Sequence, residues 1–124
     1  MSAICLIVAG VVRATLPGPE LTLSWEHSVQ KTRWEERYRV EGDALVLVEA
    51  SVGGSGAGME PPAAAVLRNG VWSWQPHTRF AELNLTYSGF APDYTVCSRH
   101  RCRSLSSLVG TMEDGTPVVV RRCG

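Results

Sequence analysis

The sequence predicts an all-β fold, an antiparallel sandwich or flattened barrel of about eight or nine short strands. Gly, Pro, Asn and Asp interrupt the chain at intervals of roughly eight to twelve residues, the spacing typical of all-β domains. No segment shows a sustained helical period of 3.6 residues. At 124 residues the chain has little room for a second core, so we expect a single all-β domain over residues 1–124.

The charge balance argues against one class of function. The chain carries 12 basic and 12 acidic residues and no net charge, which disfavours a nucleic-acid partner bound through counterion release. Arginines nevertheless gather in the C-terminal part of the chain. They form either a solvated rim or a patch that faces an acidic partner or lipid headgroups, and they are Arg99, Arg101, Arg103, Arg121 and Arg122.

The N-terminal apolar run, residues 4–12, has two interpretations. Its nine residues are too few to span a bilayer. Residues 1–14 are signal-like if the run is the core of a signal peptide, because Val12-Arg13-Ala14 fits the small-residue rule at a cleavage site. Alternatively, residues 4–9 form a buried first strand, with Gly10 at a bulge or turn. No Lys or Arg precedes the run, which favours the strand.

A β-hairpin follows, because residues 21–29 and 34–41 both alternate between apolar and polar side chains. If residues 30–33 form a four-residue loop, His27 lies opposite Glu36 on the apolar face. The same register brings opposite charges together on the other face. It therefore places apolar pairs inside and charged pairs outside.

The remaining elements are shorter. Gly42-Asp43 is expected to form a two-residue turn before a strand at residues 44–52, and Asn69-Gly70 is the strongest hairpin signal in the chain. Residues 104–108 are compatible with one helical turn. The other predicted strands are 63–68, 71–74, 81–87, 94–97, 102–105 and 117–122.

The four cysteines are placed so that two disulfides are feasible. Cys97 and Cys102 flank a polar loop and suit a disulfide or a thiol pair across a hairpin neck. Cys5 and Cys123 lie near the two chain ends and meet if the terminal strands pair. Two disulfides are compatible with an oxidising compartment. A zinc site has less support, because no second cysteine pair has finger spacing and His100 leaves the set short of four ligands.

The predicted turns also place three polar residues, His27, Glu36 and Glu49, in one row across three strands. Two carboxylates and an imidazole in a partly apolar setting are costly unless they are paired, protonated or bound to a cation. The row has three interpretations. In the first, His27 and Glu36 form a buried hydrogen bond and Glu49 reaches water. In the other two, the row is a metal site or an acid–base pair. Ser28 faces away from His27, because adjacent strand residues point to opposite sides, so we assign no catalytic residue.

The glycine-rich loop at residues 53–62 is a second candidate site. Its glycines permit close approach of the backbone to a ligand. It is not a phosphate-binding Walker loop, because no Gly-Lys-Ser/Thr follows and Pro61-Pro62 prevents a helix interior. The loop is either an irregular crossover or a backbone N–H cradle for a carboxylate or partner segment, with Gly56, Gly58 and Glu60 as candidate residues.

Two tryptophans are expected on one face of a later strand. Trp72 and Trp74 alternate with Val71 and Ser73, and residues two apart in a strand share a face. Core packing is the default expectation for such side chains. An exposed aromatic patch that binds a ligand is the alternative.

Several of these motifs together resemble a known family. They are Trp25, His27-Ser28-Val29, Trp34-Glu35-Glu36 and Tyr38, the run Gly56-Ala57-Gly58-Met59-Glu60-Pro61-Pro62, and the pair Cys97 and Cys102. Over nearly its whole length the chain resembles a bacterial family of unknown function, whose members are often encoded beside TRAP-type transporters of the TAXI subgroup. The resemblance implies an accessory role near a solute transporter rather than a reaction. Many relatives carry an N-terminal membrane anchor, whereas this chain has only the short apolar run.

These observations lead to two expectations of different classes. The first is a non-enzymatic accessory or binding domain without a cofactor, periplasmic or membrane-associated, whose partner is a TRAP transporter permease or its solute-binding protein. The second is a small metal-dependent or acid–base enzyme that uses His27, Glu36 and Glu49. For the location of the protein, the alternative to the periplasm or membrane is the cytoplasm. The residues identify neither a ligand nor a reaction.

Overall fold

The computed structural model of the chain describes residues 2–27, 32–53, 62–89 and 92–124. Within these residues the chain forms twelve strands and one short helix. The strands are β1 (Ile4–Val8), β2 (Val11–Leu16), β3 (Glu20–His27), β4 (Thr32–Glu41), β5 (Ala44–Gly53), β6 (Val66–Arg68), β7 (Val71–Trp74), β8 (Thr78–Phe80), β9 (Leu83–Thr86), β10 (Thr95–Ser98), β11 (Arg101–Ser104) and β12 (Pro117–Arg122), and the helix is α1 (Leu105–Val109).

The described strands form two antiparallel sheets that pack face to face. The small sheet has the order β2-β1-β12-β9, and the large sheet has the order β11-β10-β3-β4-β5-β7-β6. Strand β8 also pairs with β5, beside residues 45–47, while β7 pairs with residues 50–53 of the same strand. The predicted sandwich is therefore confirmed, and within the described residues neither sheet closes into a barrel.

The two ends of the chain meet in the small sheet. Strand β1 lies between β2 and β12, and Cys5 is opposite Arg121 of β12. All five residues of β1 are buried, because one face of the strand points into the core and the other is covered as well. Burial on both faces explains why the segment is continuously apolar rather than alternating. In the structure Ile4–Val8 is a strand, and it ends at a turn at Ala9-Gly10.

The core lies between the small sheet and one half of the large sheet. Period-two alternation directs aliphatic side chains of both sheets into this layer, and burial of each stabilises the fold by roughly 1.5–3 kcal/mol. The small sheet contributes Ile4, Leu6, Val8, Leu83, Leu85, Val118 and Val120, and the large sheet contributes Leu21, Leu23, Tyr38, Val40, Leu45, Leu47 and Val96.

The short helix α1 closes one end of the core. Ser104 is its N-cap and accepts a hydrogen bond from the backbone N–H of Ser107, at 3.2 Å. The carboxylate of Asp93 accepts a second bond from the N–H of Ser106, at 2.9 Å. Two of the amides that a helix start leaves unpaired are thus satisfied. Leu105 and Val109 lie one turn apart and are both buried in the core.

The twelve described strands outnumber the eight or nine that the sequence predicts, and β2 and β8 overlap none of the predicted strand segments. Strand β8 has only three residues, too few for alternation to be recognised. Strand β2 lies at the edge of the small sheet, where Val11 and Val12 are 55% and 52% exposed. Apolar residues therefore do not distinguish the buried face of β2 from its exposed face.

Candidate functional site

The hairpin of β3 and β4 adopts a different register from the predicted one. Glu36 lies opposite Leu23, and the backbone of His27 lies opposite Thr32. The prediction that His27 faces Glu36 is therefore wrong. Strand β3 ends and β4 begins two residues earlier than predicted, at His27 and Thr32. Such a shift keeps every side chain on its predicted face, which is why alternation alone could not detect it.

A β-bulge separates Glu49 from Glu36. The two-residue turn brings Tyr38 opposite Leu47 as predicted, but the next pair is Arg37 with Glu49, so Val48 is an extra residue in β5. One inserted residue reverses the faces of all that follow it. Glu49 consequently lies on the outer face, where its Oε1 is 3.6 Å from Nη2 of Arg37. The predicted row of His27, Glu36 and Glu49 is not formed.

Glu36 lies on the inner face of the large sheet, between Leu23 and Ala50 on the neighbouring strands. The phenol of Tyr38, which is only 4% exposed, donates a hydrogen bond of 2.8 Å to Oε1 of Glu36. Burial raises the pKa of Tyr38, and the hydrogen bond to Glu36 and the charge of that carboxylate raise it further. The phenol therefore remains protonated and keeps donating to the carboxylate.

Aromatic rings surround this carboxylate. Trp25 stacks on Trp34 with ring centroids 6.2 Å apart and planes at 6°, and it contacts Tyr94 at 5.5 Å. Burial raises the pKa of Tyr94, and the charge of Glu36 adds to the effect. Next to these rings lies a cavity of about 410 Å³, which we call the Glu36 pocket. It is lined by Trp25, Glu36, Tyr38, Phe80, Glu82, Tyr94 and residues 83–85.

The two later tryptophans extend this aromatic face. Trp72 lies opposite Val52, and Val52 lies opposite Trp34, so one row of apolar side chains crosses from β3 to β7. Trp74 lies beside Ala50 in the adjacent row. Both tryptophans are half-buried. They are therefore on the inner face, as core packing predicts, but in the half of the sheet that lies beyond the aliphatic core.

The pocket has the chemistry of a site for a positively charged or hydrogen-bond-donating group. The faces of Trp and Tyr rings attract cations, and a carboxylate adds a direct charge partner. Among the described residues, no basic side chain lies within ion-pair distance of Glu36. In the same part of the chain, no three His, Cys, Asp or Glu residues are grouped as metal ligands.

The other predicted site residues have different outcomes. Glu36 is part of the pocket, and Glu49 is not. Gly56, Gly58 and Glu60 lie outside the described residues, as does the side chain of His27.

Both predicted disulfides are confirmed. Cys5 is bonded to Cys123, with Cα atoms 5.1 Å apart, and Cys97 is bonded to Cys102, with Cα atoms 4.0 Å apart. The first joins Cys5 of β1 to the residue that directly follows β12, and these two strands form the central pair of the small sheet. The second joins directly opposite residues of β10 and β11, at an edge of the large sheet.

The sequence did not indicate three pocket residues, Phe80, Glu82 and Tyr94. Phe80 ends the three-residue strand β8, and Glu82 lies in the link to β9, so neither belongs to a periodic segment. Tyr94 immediately precedes β10. They meet Glu36 because β8 and β10 pair with β5 and β3 of the large sheet and the link from β8 to β9 of the small sheet passes the same pocket, which no local signal encodes.

The fold and the pocket define a small, disulfide-bonded β-sandwich with an aromatic pocket. The chain belongs to a family described as a domain of unknown function (DUF1850), whose sequence model matches residues 21–105, more than half of the chain. No curated protein and no solved structure matches it. Within the described residues, no helix has the length and apolar character needed to cross a membrane.

Proposed function

We propose that this chain is a non-enzymatic accessory domain that works with a TRAP-type transporter of the TAXI subgroup and binds its partner or ligand through the Glu36 pocket. The partner is the permease or its solute-binding protein. The observation that carries the binding role is a half-buried carboxylate among Trp25, Tyr38 and Tyr94, with no basic partner among the described residues. The link to the transporter is supported by the resemblance of the sequence motifs to transporter-associated relatives.

The pocket fits an ammonium or guanidinium group on the partner. A cation that enters an aromatic site gains up to about 2 kcal/mol from the ring faces when it is desolvated. A charge-assisted hydrogen bond to Glu36 would add to this attraction. Tyr38 holds the carboxylate in place by donating to Oε1, so the site is ordered before the partner arrives.

The geometry supports binding better than catalysis. The enzyme alternative requires His27, Glu36 and Glu49 to act together. Glu36 faces the core side of the large sheet, whereas Glu49 is paired with Arg37 on the outer face. Glu36 is the carboxylate of the pocket that a phenol holds in place, which suits recognition, and acid–base chemistry generally needs a second positioned group.

The disulfides support a periplasmic or membrane-proximal location. Disulfide bonds persist in oxidising compartments and are rare in the reducing cytosol. Both bonds join strands within a sheet, so a reducing environment would remove covalent links from each of the two layers. The experiment is to count free thiols in protein taken from whole cells that produce it naturally, with thiols trapped during lysis. None should be found without reductant and four after reduction, and four free thiols at the outset would exclude this location.

Co-purification tests the proposed partner. The full chain, tagged at its C-terminus, is co-expressed with the TAXI permease and its solute-binding protein, and membranes are solubilised without reductant. Wild-type chain should retain one of the two partners. Glu36→Gln should lose it, and the matched control Glu49→Gln should keep it, because Glu49 lies on the opposite face. Failure of wild-type chain to retain either protein would refute the proposal.

A further inference from the structure

Three arginines line one cavity, which is basic, whereas the Glu36 pocket is acidic. The cavity measures about 380 Å³ and lies between β2 of the small sheet and the β10–β11 hairpin of the large sheet. Its basic residues are Arg13, Arg101 and Arg103. A volume of this size falls within the range of sites that hold small molecules. We call it the arginine pocket.

Two features of the strands, their register and a β-bulge, place these arginines at the cavity. Arg101 and Arg103 are two residues apart on β11, opposite Ser98 and Val96, so both stand on the face that turns toward the small sheet. Arg13 is the extra residue of a β-bulge in β2, since Ala14 and Val12 pair with consecutive residues of β1. A bulge redirects one side chain out of the regular alternation. The cavity therefore gathers arginines from the edges of two different sheets.

Most other arginines in the described part of the chain already have partners. Arg37, Arg39, Arg79 and Arg122 are ion-paired. Arg33 donates to Oγ of Ser24, and Arg99 donates to the carbonyl oxygen of Gly18. For the arginines of the pocket, the described residues provide no carboxylate within ion-pair distance. Three of the arginines without a partner thus converge on a single cavity.

The two serine hydroxyl groups of the pocket are already engaged. Ser107 donates through Oγ to the carbonyl oxygen of Ser104 at 2.8 Å, and Ser98 donates to that of Pro17. The hydroxyl of Thr15 lies 3.9 Å from Sγ of Cys5. The guanidinium groups are therefore the charged donors that the pocket offers a ligand. Guanidinium forks match the two oxygens of a carboxylate or phosphate and bind them in bidentate fashion.

An inward-pointing charge also protects an edge strand from pairing with another sheet. That role accounts for Arg101 and Arg103, which lie on the edge strand β11. That protective role does not explain why a bulge in the other sheet directs a third arginine, Arg13, to the same cavity. Like charges that converge without a counter-ion repel one another, so the arrangement is stabilised when an anion binds.

We propose that the arginine pocket is an oxyanion site, which takes a phosphate or carboxylate group of an anionic ligand. The site is separate from the Glu36 pocket and does not depend on the proposed transporter role. The oxyanion belongs either to a free small molecule or to a lipid headgroup. Val11 and Val12, exposed on β2 beside Arg13, are placed to contact the apolar layer of a membrane in the second case.

Titration of the intact, disulfide-bonded chain tests the site. Inorganic phosphate, succinate and vesicles of either phosphatidylglycerol or phosphatidylcholine are added separately at low salt, and binding is followed by NMR shifts or co-sedimentation. We expect saturable binding of at least one oxyanion probe that weakens as salt is raised. Binding of phosphate or succinate identifies a free anion as the source, whereas binding of phosphatidylglycerol vesicles alone identifies a headgroup.

Matched variants locate the binding. The double variant Arg101→Gln/Arg103→Gln should weaken the affinity at least tenfold. The control Arg68→Gln, which removes an exposed arginine on β6 outside the pocket, should leave it unchanged. Denaturation midpoints confirm that each variant is folded, and Arg13→Gln gives an independent test from the other sheet. No binding of any probe, or equal affinity in wild type and the double variant, would overturn the oxyanion site.

Discussion

The Glu36 pocket and the arginine pocket are built in contrasting ways. The first is aromatic and acidic, and it lies on the inner face of the large sheet, where Tyr38 and the neighbouring strands fix the carboxylate. The second is basic and lies where the edge strands β2 and β11 approach one another. A chain with no net charge thus concentrates opposite charges at two separate sites. A chain with no net charge can therefore still carry strongly acidic and strongly basic regions on its surface.

The largest expected effect comes from the disulfides, which support the two pockets unequally. The Cys5–Cys123 bond closes a sequence separation of 118 residues, and the Cys97–Cys102 bond closes one of 5. Loss of loop-closure entropy predicts a cost of about 5 kcal/mol for Cys5→Ser/Cys123→Ser and about 2 kcal/mol for Cys97→Ser/Cys102→Ser. Urea denaturation measures both values.

The second disulfide variant also discriminates between the pockets. The Cys97–Cys102 bond holds the hairpin that carries Arg101 and Arg103, so its loss should weaken anion binding while the Glu36 pocket keeps its function. Equal destabilisation by the two double variants would contradict the entropic account.

The bulge in β5 provides the next largest effect. Because of the bulge, Ala50 lies on the inner face opposite Glu36 and is 4% exposed, whereas regular alternation from Leu47 would place it on the outer face. An unpaired carboxylate at this position, introduced by Ala50→Glu, should destabilise the fold by roughly 3–5 kcal/mol. Ser51→Glu, on the outer face, is the control and should cost much less. An Ala50→Glu variant as stable as this control would show that the bulge does not turn Ala50 inward.

The pH dependence of stability tests the phenol that holds Glu36. Burial raises the pKa of Tyr38 above its ordinary value of 10.0. Above about pH 10 the unfolded state releases the phenolic proton while the folded state keeps it, so stability falls as pH rises, by at most about 1.4 kcal/mol per pH unit. Denaturation between pH 8 and 11 should show a shallower fall for Tyr38→Phe. Identical slopes would mean that Tyr38 ionises normally in the folded protein.

The smallest expected effect concerns the outer face. The Arg37–Glu49 pair is exposed, with side chains 46% and 40% accessible. Such pairs contribute roughly 0.2–1 kcal/mol, so Glu49→Gln should lower stability by no more than this amount, and less at high salt. A loss of several kcal/mol would place Glu49 in a buried network, like Glu36.

Much of the fold could be predicted from the sequence because its signals are local. Alternation identified β3 and β4, the Gly42-Asp43 turn and a run rich in valine and leucine identified β5, the Asn69-Gly70 turn joined β6 to β7, and cysteine placement anticipated both disulfides. The assignment of residues to the inner and outer faces of the β3–β4 hairpin was also correct, because successive residues of a strand alternate between the two faces.

The site was less accessible to prediction because it depends on non-local geometry. The pairing of Glu36 with Leu23 rather than His27 follows from where the hairpin turns, and a shift by an even number leaves the alternation unchanged. The bulge at Val48 leaves no clear mark in a valine- and leucine-rich strand. Phe80 and Tyr94 reach Glu36 only when β8 and β10 pair into the large sheet. The arginine pocket likewise joins Arg13 to residues about ninety positions away.

The central claim is that the chain binds a transporter component through Glu36, and the affinity of the purified proteins tests it most directly. The oxidised chain is titrated against the TAXI solute-binding protein and, separately, against the detergent-solubilised permease. We predict saturable binding to one of them, weakened at least tenfold by Glu36→Gln and unchanged by Glu49→Gln, which removes the same charge from the opposite face. Equal affinities for the wild type and Glu36→Gln, or no binding to either component, would contradict the account.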